Sequence, residues 1–210
     1  MKNRKIKWGV IGSGGIARRK TIPEGIMKAP NAILSVVYDV NENVNFRVAN
    51  EFDAYAAKSV LDVIDSDVDA VYVASPPNMH LEHIVECARG KKHIFCEKPL
   101  GLATEEIEKM IEICEAEEVE LGVGLMMRFS TQHQEALRIM KEGALGKPVF
   151  GRAQLSCWYP PINGAWRQNL SQSGGGALMD MGSHCIDLLE MFFGKIISVN
   201  CRISNVVHHY

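Results

Sequence analysis

The residues in this chain best suited to chemistry are a glycine-rich turn, a lysine between a glutamate and a proline, and an aspartate and histidine spaced i, i+4. Gly12-Ser13-Gly14-Gly15-Ile16-Ala17 follows a short apolar run and has the form G-x-G-x-x-A. The first glycine makes the tight turn, the second lets backbone approach a pyrophosphate, and the small last residue permits close helix packing. Amides at the start of the next helix can hold that anion. Asp39 closes the second apolar run, where an acid accepts hydrogen bonds from an adenosine ribose and repels a 2′-phosphate. The pattern predicts a dinucleotide site built from Gly12, Ser13, Gly14, Gly15, Ile16 and Asp39, with NAD preferred over NADP.

Two further clusters end apolar runs. Ser75-Pro76-Pro77-Asn78-Met79-His80 stops the third run, because proline cannot donate to a ladder, and stiffens a loop expected over the cofactor. Ser75, Pro76, Asn78 and His80 are its candidate contacts. Glu97-Lys98-Pro99 ends the fourth run, 93–96; those residues alone read first as a solvated turn. Later, Gly174-Gly175-Gly176 opens a helix on which Asp180 and His184 share one face, with Asp187 a turn further. An aspartate beside an imidazole can orient it and stabilise its charged form, which suits a general acid or base. The same pattern also fits a capped helix whose polar residues satisfy each other. Three glycines in a row cost backbone entropy, so they predict close approach to a ligand or backbone, or a movable loop. Trp158, Tyr159, Trp166 and Arg167 populate the loop before that helix, where flat rings suit sugars or nicotinamide and an arginine can fix a polar group. The alternative is a hydrophobic latch. His80 and His83 have spacing for a metal but no third ligand nearby, and no metal site is expected.

The elements that must carry these residues follow from periodicity. Apolar runs at 6–11, 33–38, 70–74, 93–96 and 119–124 predict strands, and helical spacing marks 43–52, 80–89 and 104–117. Thr104, followed by Glu105 and Glu106, is the expected N-cap of the last of these. Continuous apolar strands alternating with helices imply a parallel sheet covered on both faces, with ligands outside the strands' carboxyl ends. Beyond residue 125 the texture changes. A helix at 132–142, a strand at 149–156, a long loop at 157–176, a helix at 177–193 and a strand at 196–204 are expected, too little for an independent domain. Residues 1–125 are therefore read as a nucleotide-binding domain and 126–210 as the first part of an α+β substrate and oligomerisation domain, incomplete within this chain.

A formal net charge of -2, with lysine and arginine dispersed, excludes the basic stripe that a nucleic-acid partner requires. The apolar run after the basic start stops at Gly12, so no secretion signal is expected, and no stretch is long enough to span a membrane. Six cysteines without C-x-x-C spacing predict reduced thiols in a cytoplasmic protein.

Taken together, the nucleotide turn, Pro76-Pro77-Asn78-x-His80, Glu97-Lys98-Pro99 and the Gly-Gly-Gly-Ala-Leu-x-Asp-x-Gly-x-His-x-x-Asp helix resemble the glucose-fructose oxidoreductase/inositol dehydrogenase/rhizopine catabolism family over essentially the whole chain. The resemblance implies a Rossmann-type doubly wound parallel sheet, followed by an α+β domain with a mainly antiparallel sheet. It also implies NAD(P)-dependent hydride transfer to or from a secondary alcohol or ketone of a sugar, inositol or related polyol. By the same resemblance Lys98, Asp180 and His184 act at the reacting carbon, and Glu97, Arg128, Trp166 and Arg167 line the cofactor or substrate site. Either Lys98 or His184 could move the proton. The alternatives are an NAD-dependent glycosidase of the same family and a truncated, non-catalytic NAD-binding protein. The partners implied are a small sugar or polyol and, where the second domain is complete, further copies of the chain.

Overall fold

The computed structural model describes residues 4–206 of the 210-residue chain. Residues divide into two compact units, Met1–Gly124 and Leu125–Tyr210. In the first unit six parallel strands, β1 (Ile6–Ile11), β2 (Ala32–Tyr38), β3 (Tyr55–Ala56), β4 (Ala70–Val73), β5 (His93–Cys96) and β6 (Leu121–Val123), lie in the order β3-β2-β1-β4-β5-β6. The order reverses between β1 and β4, which makes their carboxyl ends the expected ligand crevice.

Side-chain alternation explains why both faces are covered. Val71 and Val73 of β4 pack into one core with Ile84, Cys87 and Met110, while Tyr72 between them packs into the other with Val10, Ile22 and Val48. All four residues of β4 are buried, as befits a central strand covered on both faces. The covering helices are α1 (Glu42–Glu51), α2 (Val60–Asp65), α3 (His80–Arg89), α4 (Thr104–Ala116) and a π-wound helix at Ala17–Ile26 that accommodates Pro23.

Five strands and three helices lie where periodicity places them, within a residue or two at each end. β3 and α2 escape it, because two residues have no period to read and six make under two helical turns. The N-cap of α4 is Ala103, not Thr104, and no side chain caps it. Instead Glu106 reaches back, its carboxylate accepting from the Leu102 amide at 2.9 Å.

In the second unit α5 (Thr131–Lys141) begins at Ser130, whose hydroxyl accepts from the His133 amide. A 3₁₀ turn at Trp166–Gln168 and α6 (Leu170–Ser173) interrupt the expected loop. The later helix is continuous into α7 (Ser183–Phe193), but Leu178–Gly182 is wound as a π-helix. The expected strands at 149–156 and 196–204 join no ladder among the described residues. Alternation is present without a partner: Ile197, Val199 and Ile203 are 96%, 80% and 81% exposed. A strand is defined by its neighbour, and these segments have none here.

Candidate active site and nucleotide cradle

The sheet register places the chemistry-bearing turns along one edge. Ile11, Val73, Cys96 and Val123 are successive cross-strand partners, so Gly12, Ala74, Glu97 and Gly124 occupy the next row at the carboxyl edge. The turn after β1 is held by its neighbour: the Gly12 and Ser13 amides donate to the Tyr38 carbonyl at 2.8 and 3.0 Å. Gly12 has φ +81°, and a Cβ there would lie 2.6 Å from the Ser75 amide nitrogen, so only glycine fits.

Asp39 does two things. One carboxylate oxygen accepts from the Gly14 amide at 2.9 Å and the other from the Asn41 amide at 3.0 Å, which joins the glycine turn to the end of β2. It also borders a cavity of about 320 Å³ lined by Gly14, Gly15, Arg18, Arg19, Val44 and Arg47. Arg18 is ion-paired with Glu51 at 2.6 Å, so it is Arg19 and Arg47 that chiefly lend the cavity positive potential for a phosphorylated ligand. The three arginines have no place among the sequence-derived candidates, although Arg18 and Arg19 immediately follow the glycine motif.

A dinucleotide fits these residues on two observations. Ser13 Oγ is fully buried without a hydrogen-bond partner among the described residues. Gly15, φ +37°, faces open space where a side chain would stand. We expect Asp39→Ala to lower NAD affinity by about 10- to 100-fold, since a charged acceptor is worth roughly 1.5–3 kcal/mol, and to leave NADP binding unchanged or tighter. Fluorescence titration with NADH and NADPH measures both. Equal loss for the two cofactors would show that Asp39 serves only the turn.

The Glu97-Lys98-Pro99 turn is anchored from within the sheet. The Glu97 amide donates to the Val73 carbonyl at 2.9 Å, and Glu97 Oε2 accepts from the Lys98 amide at 3.3 Å. Glu97 Oε1 accepts from the buried Tyr72 hydroxyl at 2.5 Å, and that hydroxyl in turn accepts from Thr21 Oγ1 at 3.0 Å. Burial, with the Glu97 charge, pushes the Tyr72 pKa upward, so the hydroxyl remains a donor. Glu97 thus braces backbone, through a tyrosine that no motif marks. Removing that donor with Tyr72→Phe is expected to cost about 1–3 kcal/mol, read as a lower urea midpoint at unchanged slope.

On the loop after β4, Ser75 is buried and Pro76 half-buried, while Asn78 is exposed. The Ser75 hydroxyl pairs with His83 Nδ1 at 2.9 Å. His80 is fully buried, with both ring nitrogens against backbone carbonyls, rather than presented to the crevice.

In the second unit Asp180 and His184 are both half-buried; Asp180 lies within the π-helical segment and His184 just beyond it, in the first turn of α7. Such wide turns recur at functional sites. Asp180 Oδ2 accepts from Arg167 Nε at 3.3 Å, and the Arg167 guanidinium also lies 4.1 Å from the Trp166 ring centroid, a cation–π contact. Arg167 and Asp180 border a second cavity of about 370 Å³ with Tyr159, Gln168, Met181 and Asn205 among its walls. The three glycines ahead of this helix have φ of +74°, +145° and +36°. A Cβ on Gly176 would meet nothing within 4 Å, so no other backbone approaches it closely; its positive φ favours glycine, and it borders the same cavity. Arg128 makes a two-pronged ion pair with the buried Asp187, with Nε 3.1 and 3.0 Å from its two oxygens. That pairing was missed from sequence because the partners lie 59 positions apart.

Residues 6–125 match the family described as "Oxidoreductase family, NAD-binding Rossmann fold", and residues 133–210 match the "GFO/IDH/MocA C-terminal domain". The chain belongs to the GFO/IDH/MocA oxidoreductase family. Among curated members it is 31% identical over 188 residues to 1,5-anhydro-D-fructose reductase of Ensifer adhaerens, covering 88% of this chain and 55% of that protein. It is 32% identical over 188 residues to myo-inositol 2-dehydrogenase of Thermotoga maritima, with coverages of 88% and 55%. The chain therefore spans about half the length of the curated GFO/IDH/MocA relatives it matches. A solved family structure, the 3-ketoreductase KijD10 of Actinomadura kijaniata with NADP and TDP-benzene, superposes with a TM-score of 0.78 at 26% identity, over 91% of this chain and 58% of that one. The NAD-binding Rossmann fold and family membership are thus shared features, as the glycine turn and Glu-Lys-Pro signature imply.

Proposed function

We propose that this protein is an NAD-preferring oxidoreductase that interconverts a secondary alcohol and a ketone on a sugar, inositol or related polyol. The observation that carries the proposal is the shared carboxyl edge: the glycine turn with its cavity follows β1, and the Lys98 turn follows β5, on the same side of one parallel sheet. The names of the curated relatives, a reductase and an inositol dehydrogenase, support the substrate class.

Gly12, Ser13, Gly14, Gly15, Ile16 and Asp39 hold the dinucleotide, with Ser75, Pro76 and Asn78 at its edge. Bound nicotinamide supplies the two-electron acceptor or donor. Lys98 donates a hydrogen bond to the substrate oxygen as negative charge develops there. His184 takes the hydroxyl proton, for which an imidazole is suited near neutral pH. Asp180, shared with Arg167, balances the positive charge, and Trp166 with Arg167 faces the sugar. Exposed apolar residues at Val149, Phe150 and Ile197 support a second unit completed by further strands and by self-association. The six free cysteines support a reducing, cytoplasmic setting. Among the described residues no helix is long and apolar enough to cross a membrane.

The test is an initial-rate screen of the full gene product with NAD and NADP against inositols, pyranoses and deoxy sugars, following nicotinamide absorbance. Turnover with a cyclic polyol or sugar supports the proposal. Tight NADH binding without turnover on any of them would replace it with a binding role.

A further inference from the structure

His80 opens α3 and is fully buried. Its Nδ1 lies 3.1 Å from both the Pro99 and the Leu100 carbonyl oxygens, and its Nε2 lies 2.9 Å from the Ser75 carbonyl oxygen. All three partners are acceptors, so whatever hydrogen bonds this ring makes, it donates. Burial lowers the His80 pKa, while the three carbonyls and the Glu97 carboxylate act in the opposite direction.

The two sides of the ring serve different loops. Nε2 faces Ser75 at the start of the loop after β4, which also has an anchor in the contact of Ser75 Oγ with His83 Nδ1. Nδ1 faces the two residues that follow Lys98. A polar ring in a fully buried position costs folding energy unless its N–H is used; a neutral imidazole has one N–H, and on the carboxyl edge it has acceptors on either side.

The geometry points to His80 as a positioning residue: through Nδ1 it fixes the Pro99-Leu100 backbone and thereby the placement of Lys98 at the reacting oxygen. This rests on the reading of Lys98 as the amine that meets the substrate. Small displacements of such a group are costly, since about 1 Å of misplacement can slow a reaction roughly 100-fold.

The two nitrogens can be separated by substitution. His80→Asn puts an amide nitrogen close to the position of Nδ1, and His80→Gln puts one close to Nε2. In the full gene product we expect His80→Asn to stay within about twofold of wild type in hydride-transfer rate, and His80→Gln to fall about 10- to 100-fold in kcat with KM and NADH affinity unchanged. Hydrogen exchange over residues 97–102 provides a readout that needs no substrate: exchange should rise about tenfold in the glutamine variant and little in the asparagine variant. Equal behaviour of the two variants, or faster exchange spread over the whole first unit, overturns the proposal. Should wild type turn over no substrate, the functional reading fails while the exchange comparison still decides the clamp.

Discussion

Lys98→Met is expected to bind NADH as wild type does and to slow hydride transfer by about 100- to 1,000-fold, the usual cost of removing one preorganised donor to a developing oxyanion. Methionine keeps the length and apolar stem of lysine and removes the charge, at a half-buried position. The turn itself should survive, because its backbone is anchored through Glu97. The Glu97 amide is tied to Val73, and Glu97 is tied to both Tyr72 and the Lys98 amide. Single-turnover stopped-flow with NADH fluorescence separates binding from chemistry. A near-normal transfer rate on a good substrate would remove Lys98 from the mechanism and leave His184 to carry it.

Gly12→Ala should be the most damaging small substitution in the first unit, costing about 2–5 kcal/mol. Roughly 1–2 kcal/mol comes from forcing an L-residue into left-handed backbone, and roughly 1–3 from overpacking. The clash is with backbone, since a Cβ would lie 2.6 Å from the Ser75 nitrogen and 2.7 Å from the Ala74 carbonyl carbon. Neither atom can move without opening the β1–β4 junction, where Ala74 donates to the Ile11 carbonyl at 2.8 Å. Gly15→Ala is the control. It shares the positive φ, yet nothing lies within 4 Å of its Cβ position. We expect it to cost only about 1–2 kcal/mol while weakening NADH binding by occupying ligand space. Urea melts of both, alongside NADH titration, distinguish the cases. Equal midpoints for the two variants would mean that contact with Ser75 and Ala74 does not constrain the turn.

The parts of this protein readable from its sequence share one property: their physical cause is local. A strand buried on both faces announces itself as an apolar run, and a phosphate-binding turn needs glycine at fixed offsets. Hence β1, β2, β4, β5 and β6, the Gly12 turn and the Lys98 turn could all be located without coordinates. The family resemblance extended that reading to Asp180 and His184.

What escaped was set by partners distant in sequence. β3 is two residues long and exists as a strand only because Val36 and Val37 pair with it. Segments 149–156 and 196–204 have the alternation of strands and no ladder among the described residues, since backbone hydrogen bonding requires a neighbour. His80 could be assigned to the cofactor loop from its motif, but its ring is committed to carbonyls 5, 19 and 20 positions away. The Thr21–Tyr72–Glu97 relay spans three elements brought together only by the sheet. Sequence alone thus singled out the candidate residues and the edge of the sheet that carries the first of them. Tertiary structure decided what holds those residues in place, because the hydrogen bonds that brace Lys98 run between strands and helices rather than along the chain.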